Sequence, residues 1–346
     1  MSIGSSRIRW RAMSVLMPLT VVAALCTAGE SAIASGAPEI PIPSETQQAP
    51  DGSRLVAMSR GDGGFLDVRV HSTAMNAEIT VKVRPAPGDS EPAPVLYLLN
   101  GADGGADRNW TNATDIADFF AAEQVTLVVP MGGRGSYFTD WRADDPVLGK
   151  QRWTTFLTEE LPPIIDSTFH GTGKNAIAGI SMAGTAVFQL ALAAPHLYQA
   201  IGSYSGCVQT SDLSGRALIT AVVASNGGNP ANMWGASREV WAAKDPYLHA
   251  ADLRDTAIYV ATGTGLPGPL DNLPAAGDPL SLAYQLVFGA PLEQVTNVCT
   301  QRLRDRFQEL AIPATFDFRD TGTHSWGYWE QDLHRSWELF RTALAE

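Results

Sequence analysis

One segment constrains this chain more than any other. Gly179-Ile180-Ser181-Met182-Ala183-Gly184 joins an apolar run, Ala176-Ile177-Ala178, to an Ala-rich stretch of helical character, Met182–Ala193. A strand that turns directly into a helix at a serine needs small neighbours, because the backbones approach closely there. Gly179 and Ala183 supply them. The serine hydroxyl then stands above the sheet at a helix N-terminus, where the Met182 N–H faces any developing negative charge. A helix N-cap also favours serine, but it does not require the buried strand before it.

The rest of the chain agrees with that turn. Three β-rich stretches come first, Arg54–Ser59, Phe65–Ser72 and Glu78–Arg84, and Val81-Lys82-Val83-Arg84 alternates as a half-wet strand does. Val95–Leu99 is a continuous apolar run, expected of a strand buried on both faces. Further strands are expected at Val125–Pro130, Ala176–Gly179, Ala200–Tyr204, Ala257–Ala261 and Ala314–Phe318. Helices are expected near Asp115–Ala122, Thr154–Ser167, Met182–Ala193, Glu293–Leu310 and Tyr328–Ala345. Buried strands alternating with helices imply a mostly parallel sheet with helices on both faces and antiparallel strands at the front. That is the α/β-hydrolase layout, expected as one domain over residues 53–346.

A serine nucleophile needs a base, and in this layout an acid and then a histidine follow the serine along the chain. His324 lies in a polar loop, Asp320-Thr321-Gly322-Thr323-His324-Ser325-Trp326, between the last strand and the last helix. His196 follows the serine helix too closely, and His334 lies inside a helix. His249 stays open, but position favours His324. For the acid, order alone allows Asp271, Asp278 and Glu293. The six histidines lack ligand spacing and there is no C-x-x-C pair, so neither a metal nor a cofactor is expected.

The first 34 residues read as a secretory signal peptide. Arg7, Arg9 and Arg11 precede an apolar stretch from Met13 to about Ala28, and Ala32-Ile33-Ala34 offers a small-x-small cleavage site. The stretch is short for a membrane anchor and contains Pro18. Residues 35–52 form a Pro-rich, extended lead-in. Cleavage after Ala34 removes Arg7, Arg9, Arg11 and Glu30, moving the formal charge from −12 to −14. So acidic a chain is a poor electrostatic match for nucleic acid or anionic lipid headgroups. Only Cys207 and Cys299 remain, and in an exported protein the pair suggests one disulfide.

Fragments spread over most of the mature chain resemble the antigen 85 type mycolyltransferases of mycolic-acid bacteria. They are Tyr97-Leu98-Leu99-Asn100-Gly101; Gly132-Gly133 with Ser136-Tyr137-Phe138-Thr139-Asp140-Trp141; Trp153 to Pro162; the Ser181 segment; Met233-Trp234-Gly235; Leu292-Glu293; and Gly322-Thr323-His324-Ser325-Trp326. The resemblance implies a Ser181–Glu293–His324 triad and an oxyanion site made by the backbone N–H groups of Ala102 and Met182. Asn100, Asp103, Ser325 and Trp326 would line a sugar site. It further implies transfer of a mycolyl group from trehalose monomycolate to a sugar hydroxyl of trehalose monomycolate or arabinogalactan. The partners would then be trehalose mycolates and cell-wall glycan at the mycolate-rich envelope. Simple ester hydrolysis is the alternative that the same residues allow. Matrix-protein binding, a property of some relatives, would be a secondary role.

Overall fold

The computed structural model describes residues 38–88 and 91–345. The signal peptide expected over residues 1–34 lies outside them. Among the described residues nine strands form one sheet: β1 (Arg54–Arg60), β2 (Leu66–Ser72), β3 (Ala77–Arg84), β4 (Ala93–Leu99), β5 (Thr126–Pro130), β6 (Gly171–Ile180), β7 (Tyr198–Tyr204), β8 (Ala257–Thr262) and β9 (Thr315–Phe318). Their spatial order is β1-β2-β3-β5-β4-β6-β7-β8-β9. The first three strands form an antiparallel meander whose last member pairs antiparallel with β5. From β5 to β9 the sheet is parallel. This is the α/β-hydrolase fold with the antiparallel front that the sequence implied.

The core shows why β4 is uninterrupted apolar sequence. Val95, Tyr97 and Leu99 point into one hydrophobic layer, with Phe156, Ile164, Val187 and Phe307. Leu96 and Leu98 point into the other, with Trp110, Trp337 and Phe340. A strand with two dry faces has no position left for a polar residue. The order of strands reverses around β4, since β5 lies on one side of it and β6 on the other. A crevice opens at such a switch point, beyond the carboxyl ends of the strands. Here it is bounded by the turn after β4 and by Ser181 after β6.

Two helices differ from expectation. The helix expected over Asp115–Ala122 is only Ile116–Phe119. The one expected over Thr154–Ser167 is broken into Trp153–Thr155, a π-helical turn at Phe156–Glu160 and Leu161–Phe169. Pro162 and Pro163 have no N–H to donate to the preceding turn. The Leu161 N–H instead reaches back five residues to the Phe156 carbonyl. The turn also aims Glu160 at the meander, where its carboxylate accepts from Ser72 Oγ (2.5 Å) and the Ala74 N–H (2.7 Å).

Candidate active site

Ser181 sits at φ 54°, ψ −120°, outside the regions an L-residue prefers. Its N–H donates to the Tyr204 carbonyl (2.8 Å), and its carbonyl accepts from the Gly184 N–H (3.0 Å). Both contacts pin the strained turn to β7 and to the helix that follows, Met182–Ala193. The small residues around it are needed for space. A Cβ on Gly179 would lie 2.7 Å from the Ala183 carbonyl oxygen, and one on Gly184 would lie 2.8 Å from Ser203 Oγ.

His324 and Glu293 meet although they come from different elements. His324 lies in the loop before the closing helix, Trp326–Ala345. Glu293 lies in the first turn of Ala290–Glu309 and is fully buried. His324 Nδ1 is 2.8 Å from Glu293 Oε2. An ionised carboxylate only accepts, so the ring proton belongs on Nδ1 and Nε2 is left bare. Nε2 is buried and has no hydrogen-bond partner among the described residues. The Trp329 ring packs at right angles to the imidazole, with centroids 4.9 Å apart. No hydrogen bond joins Ser181 to His324 among the described residues, yet both line one cavity of about 520 Å³.

Glu293 is held on both oxygens. Oε1 accepts from Ser205 Oγ (2.8 Å), Thr262 Oγ1 (3.1 Å) and the Gly263 N–H (2.6 Å), and Arg319 approaches it at 3.4 Å. Burial penalises its charge, but His324, the Gly263 N–H and Arg319 outweigh that and hold the carboxyl below its usual value. The other two candidates for the acid are spent elsewhere. Asp271 accepts from Thr323 Oγ1, from Tyr328 OH (2.8 Å) and from the Gly268 N–H (2.8 Å). Asp278 caps the helix Pro279–Tyr284.

The cavity is lined by the polar residues Asp103, Asp107, Arg108, Ser281 and Ser325 and by the apolar or aromatic residues Leu280, Tyr284, Leu292, Trp326 and Trp329. Gly101 and Ala102 form part of the wall. The backbone N–H groups of Ala102 and Met182 donate to no acceptor among the described residues. Trp326 packs edge-on against Trp110 and Trp329.

Asn100 corrects the sequence reading. It does not line the cavity but is fully buried. Its amide donates to the Pro130 carbonyl (3.2 Å), and its side-chain oxygen accepts from the Trp110 N–H (3.3 Å). It shapes the turn after β4 and has no free group to offer a ligand. Ser205, Thr262 and Arg319, which surround Glu293, had no signal in the sequence beyond their places at strand ends. Leu280 and Tyr284 come from a Pro- and Gly-rich stretch with no clear periodicity.

The disulfide joins Cys207, just after β7, to Cys299 on the helix that carries Glu293. The Cys207 carbonyl also accepts from Thr185 Oγ1, on the Ser181 helix. Nucleophile and acid segments are therefore fastened at one point. Closing 92 residues is worth about 2–4 kcal/mol in the chain-entropy view. Reduction is expected to lower ester turnover before the core melts. Activity and far-ultraviolet circular dichroism followed together against dithiothreitol would check this, and full activity with both thiols reduced would refute it.

The putative esterase family profile matches residues 72–338. The diacylglycerol acyltransferase/mycolyltransferase Ag85A of Mycobacterium leprae is 32% identical over 282 residues, covering 77% of this chain and 79% of that protein. This chain belongs to the antigen 85 mycolyltransferase family. Ag85B of Mycobacterium avium is 31% identical over the same length, covering 77% of this chain and 79% of that protein. Among solved structures, MPT51 of Mycobacterium tuberculosis superposes with a TM-score of 0.66 at 26% identity, over 81% of this chain and 98% of that one. Membership of this family makes the chain an enzyme of acyl transfer or ester cleavage.

Proposed function

We propose that this chain is a secreted serine acyltransferase that moves a mycolyl group from trehalose monomycolate to a sugar hydroxyl. The observation that carries the reading is the His324 Nδ1–Glu293 Oε2 contact of 2.8 Å, with Nε2 left without a partner among the described residues and His324 lining the same cavity as Ser181. Nε2 takes the Ser181 proton as Oγ attacks the ester carbonyl. Glu293 stabilises the imidazolium that results. The oxyanion is received by the free N–H groups of Ala102 and Met182, each such donor being worth roughly 3–4 kcal/mol. The imidazolium then protonates the leaving sugar oxygen. A second sugar hydroxyl, deprotonated by His324, attacks the acyl-enzyme and restores Ser181.

The mixed lining supports a substrate with both an apolar chain and a polar head. Leu280, Tyr284 and Leu292 suit the chain, and Asp103, Asp107, Arg108 and Ser325 suit sugar hydroxyls. Family membership supports export to the envelope, and no helix of the described residues is long and apolar enough to cross a membrane.

Incubation with trehalose monomycolate tests the reading. Trehalose dimycolate is the expected product, and free mycolate alone would assign the chain to the hydrolases. Trp326 should bias that outcome. It offers an apolar face to a sugar ring and helps exclude water from the acyl-enzyme. Trp326→Ala is expected to raise the ratio of free mycolate to dimycolate while ester cleavage continues. Chromatography of both products from one reaction decides it, and an unchanged ratio would leave Trp326 a packing residue.

A further inference from the structure

A second buried carboxylate lies behind Glu293, and the reaction described above does not use it. Asp332, on the closing helix, is fully buried. Its Oδ1 pairs with Arg319 Nη1, and its Oδ2 has no hydrogen-bond partner among the described residues. Arg319 is itself almost wholly buried, and its Nη2 approaches Glu293 Oε1 at 3.4 Å. One guanidinium therefore bridges two carboxylates. The guanidinium carbon also lies over the Tyr328 ring at 5.3 Å.

We propose that Arg319 is a positioning residue for Glu293, and that Asp332 sets how strongly Arg319 competes with His324 for the charge of Glu293. The inference rests on the reading of Glu293 as the catalytic acid. Ser205, Thr262 and Gly263 already orient Oε1 with neutral donors, so what Arg319 adds is charge. A lone cation beside a buried carboxylate would neutralise it and weaken its hold on the imidazolium. With Asp332 ionised, Glu293, Arg319 and Asp332 together carry one negative charge, which the imidazolium can use. With Asp332 protonated, they carry none.

Burial pushes the Asp332 carboxyl up to about 7, against the opposing pull of Arg319. Its charge therefore changes near neutral pH, and acidification turns Arg319 toward Glu293 as its only charged partner. Glu293 and Asp317 also act on Asp332, each raising it. Asp317 is in turn held by Arg335 (3.0 Å) and Tyr259 OH (2.8 Å). Arg335, Tyr259 and Tyr204 complete the titratable groups that face Asp332.

The pH dependence of kcat/KM on p-nitrophenyl butyrate tests this in the full chain. Asp332→Asn keeps the shape but leaves zero net charge beside the imidazolium. It is expected to lower the plateau about tenfold and to move the acid limb to lower pH, since one pH unit of lost charge stabilisation corresponds to that factor. Arg319→Met removes the cation and is expected to move the acid limb the opposite way. Arg319→Lys, which restores the cation, is expected to return the acid limb to near its wild-type position. Neither residue lines the cavity, so the loss should fall on kcat and leave KM unchanged.

If Arg319→Met does not fold, Asp332→Asn and Arg319→Lys still decide. Variants that lose thermal stability but keep the wild-type acid limb would overturn the proposal. Glu293→Gln in the same assay separates the two readings. If it is active, the triad reading fails. If it is inactive while the limbs stay fixed, only this inference fails.

Discussion

Ser181→Ala is expected to lower ester turnover by about 10⁵–10⁶-fold while leaving the fold intact, because the members of a triad act as one unit. The fold should survive because the Ser181 hydroxyl makes no hydrogen bond among the described residues, and an alanine Cβ occupies space already filled. The backbone contacts to Tyr204 and Gly184 remain. The variant should not relieve the strain of the turn, since alanine is no more at ease at φ 54° than serine is. Ser181→Gly provides the contrast. It is equally inactive, but glycine accepts positive φ, and strain of this kind costs about 1–3 kcal/mol. Its melting temperature should therefore exceed that of both wild type and Ser181→Ala. Turnover and thermal melts of the three proteins check both halves. Near-wild-type activity in either variant would remove Ser181 from the mechanism. Equal melting temperatures would mean that the surrounding structure absorbs the strain.

How much of this could be read from the sequence depends on how local each feature is. The nine strands were legible because burial on one or two faces leaves a pattern within a few residues, as in Val81–Arg84 and Val95–Leu99. The Ser181 turn was legible for the same reason, since strand, glycine, serine and helix are contiguous. The π-turn at Phe156–Glu160 was not, because its signal is a shifted backbone hydrogen bond that leaves apolar periodicity almost unchanged. Asn100 misled for a physical reason. A polar residue at the end of a buried strand can face a ligand or satisfy stranded backbone groups, and the sequence does not say which. Around Glu293 the donors come from the ends of β7, β8 and β9. No spacing rule links Ser205, Thr262 and Arg319. Glu293 itself stood out from Asp271 and Asp278 only through the Leu292-Glu293 resemblance, and it is the one of the three that touches His324.

That contact sets the second large effect. Glu293→Gln is expected to lower turnover by about 10⁴-fold at neutral pH. The glutamine is nearly isosteric, and its amide oxygen can still accept from Ser205, Thr262 and the Gly263 N–H in place of Oε1. Its nitrogen then occupies the position of Oε2 and donates to His324 Nδ1. That fixes the ring proton on Nε2, the atom that must receive the Ser181 proton, and removes the charge that stabilises the imidazolium. Asp271→Asn should behave differently. It weakens the ties to Thr323 and Tyr328, which lowers the melting temperature and costs activity about tenfold at most. Asp278→Asn should change almost nothing, since asparagine caps a helix as well as aspartate does. A further sign is available from pH. The Glu293 carboxyl is held below its usual value, so it stabilises the fold above the ordinary carboxylate range, and that contribution is lost as pH falls through the lowered value. The stability advantage of wild type over Glu293→Gln should therefore shrink on acidification. Steady-state kinetics of the three variants, with thermal melts between pH 3 and 7, check the whole set. Should Asp271→Asn prove the inactive one, the acid would follow a different loop and the Glu293–His324 contact would be structural.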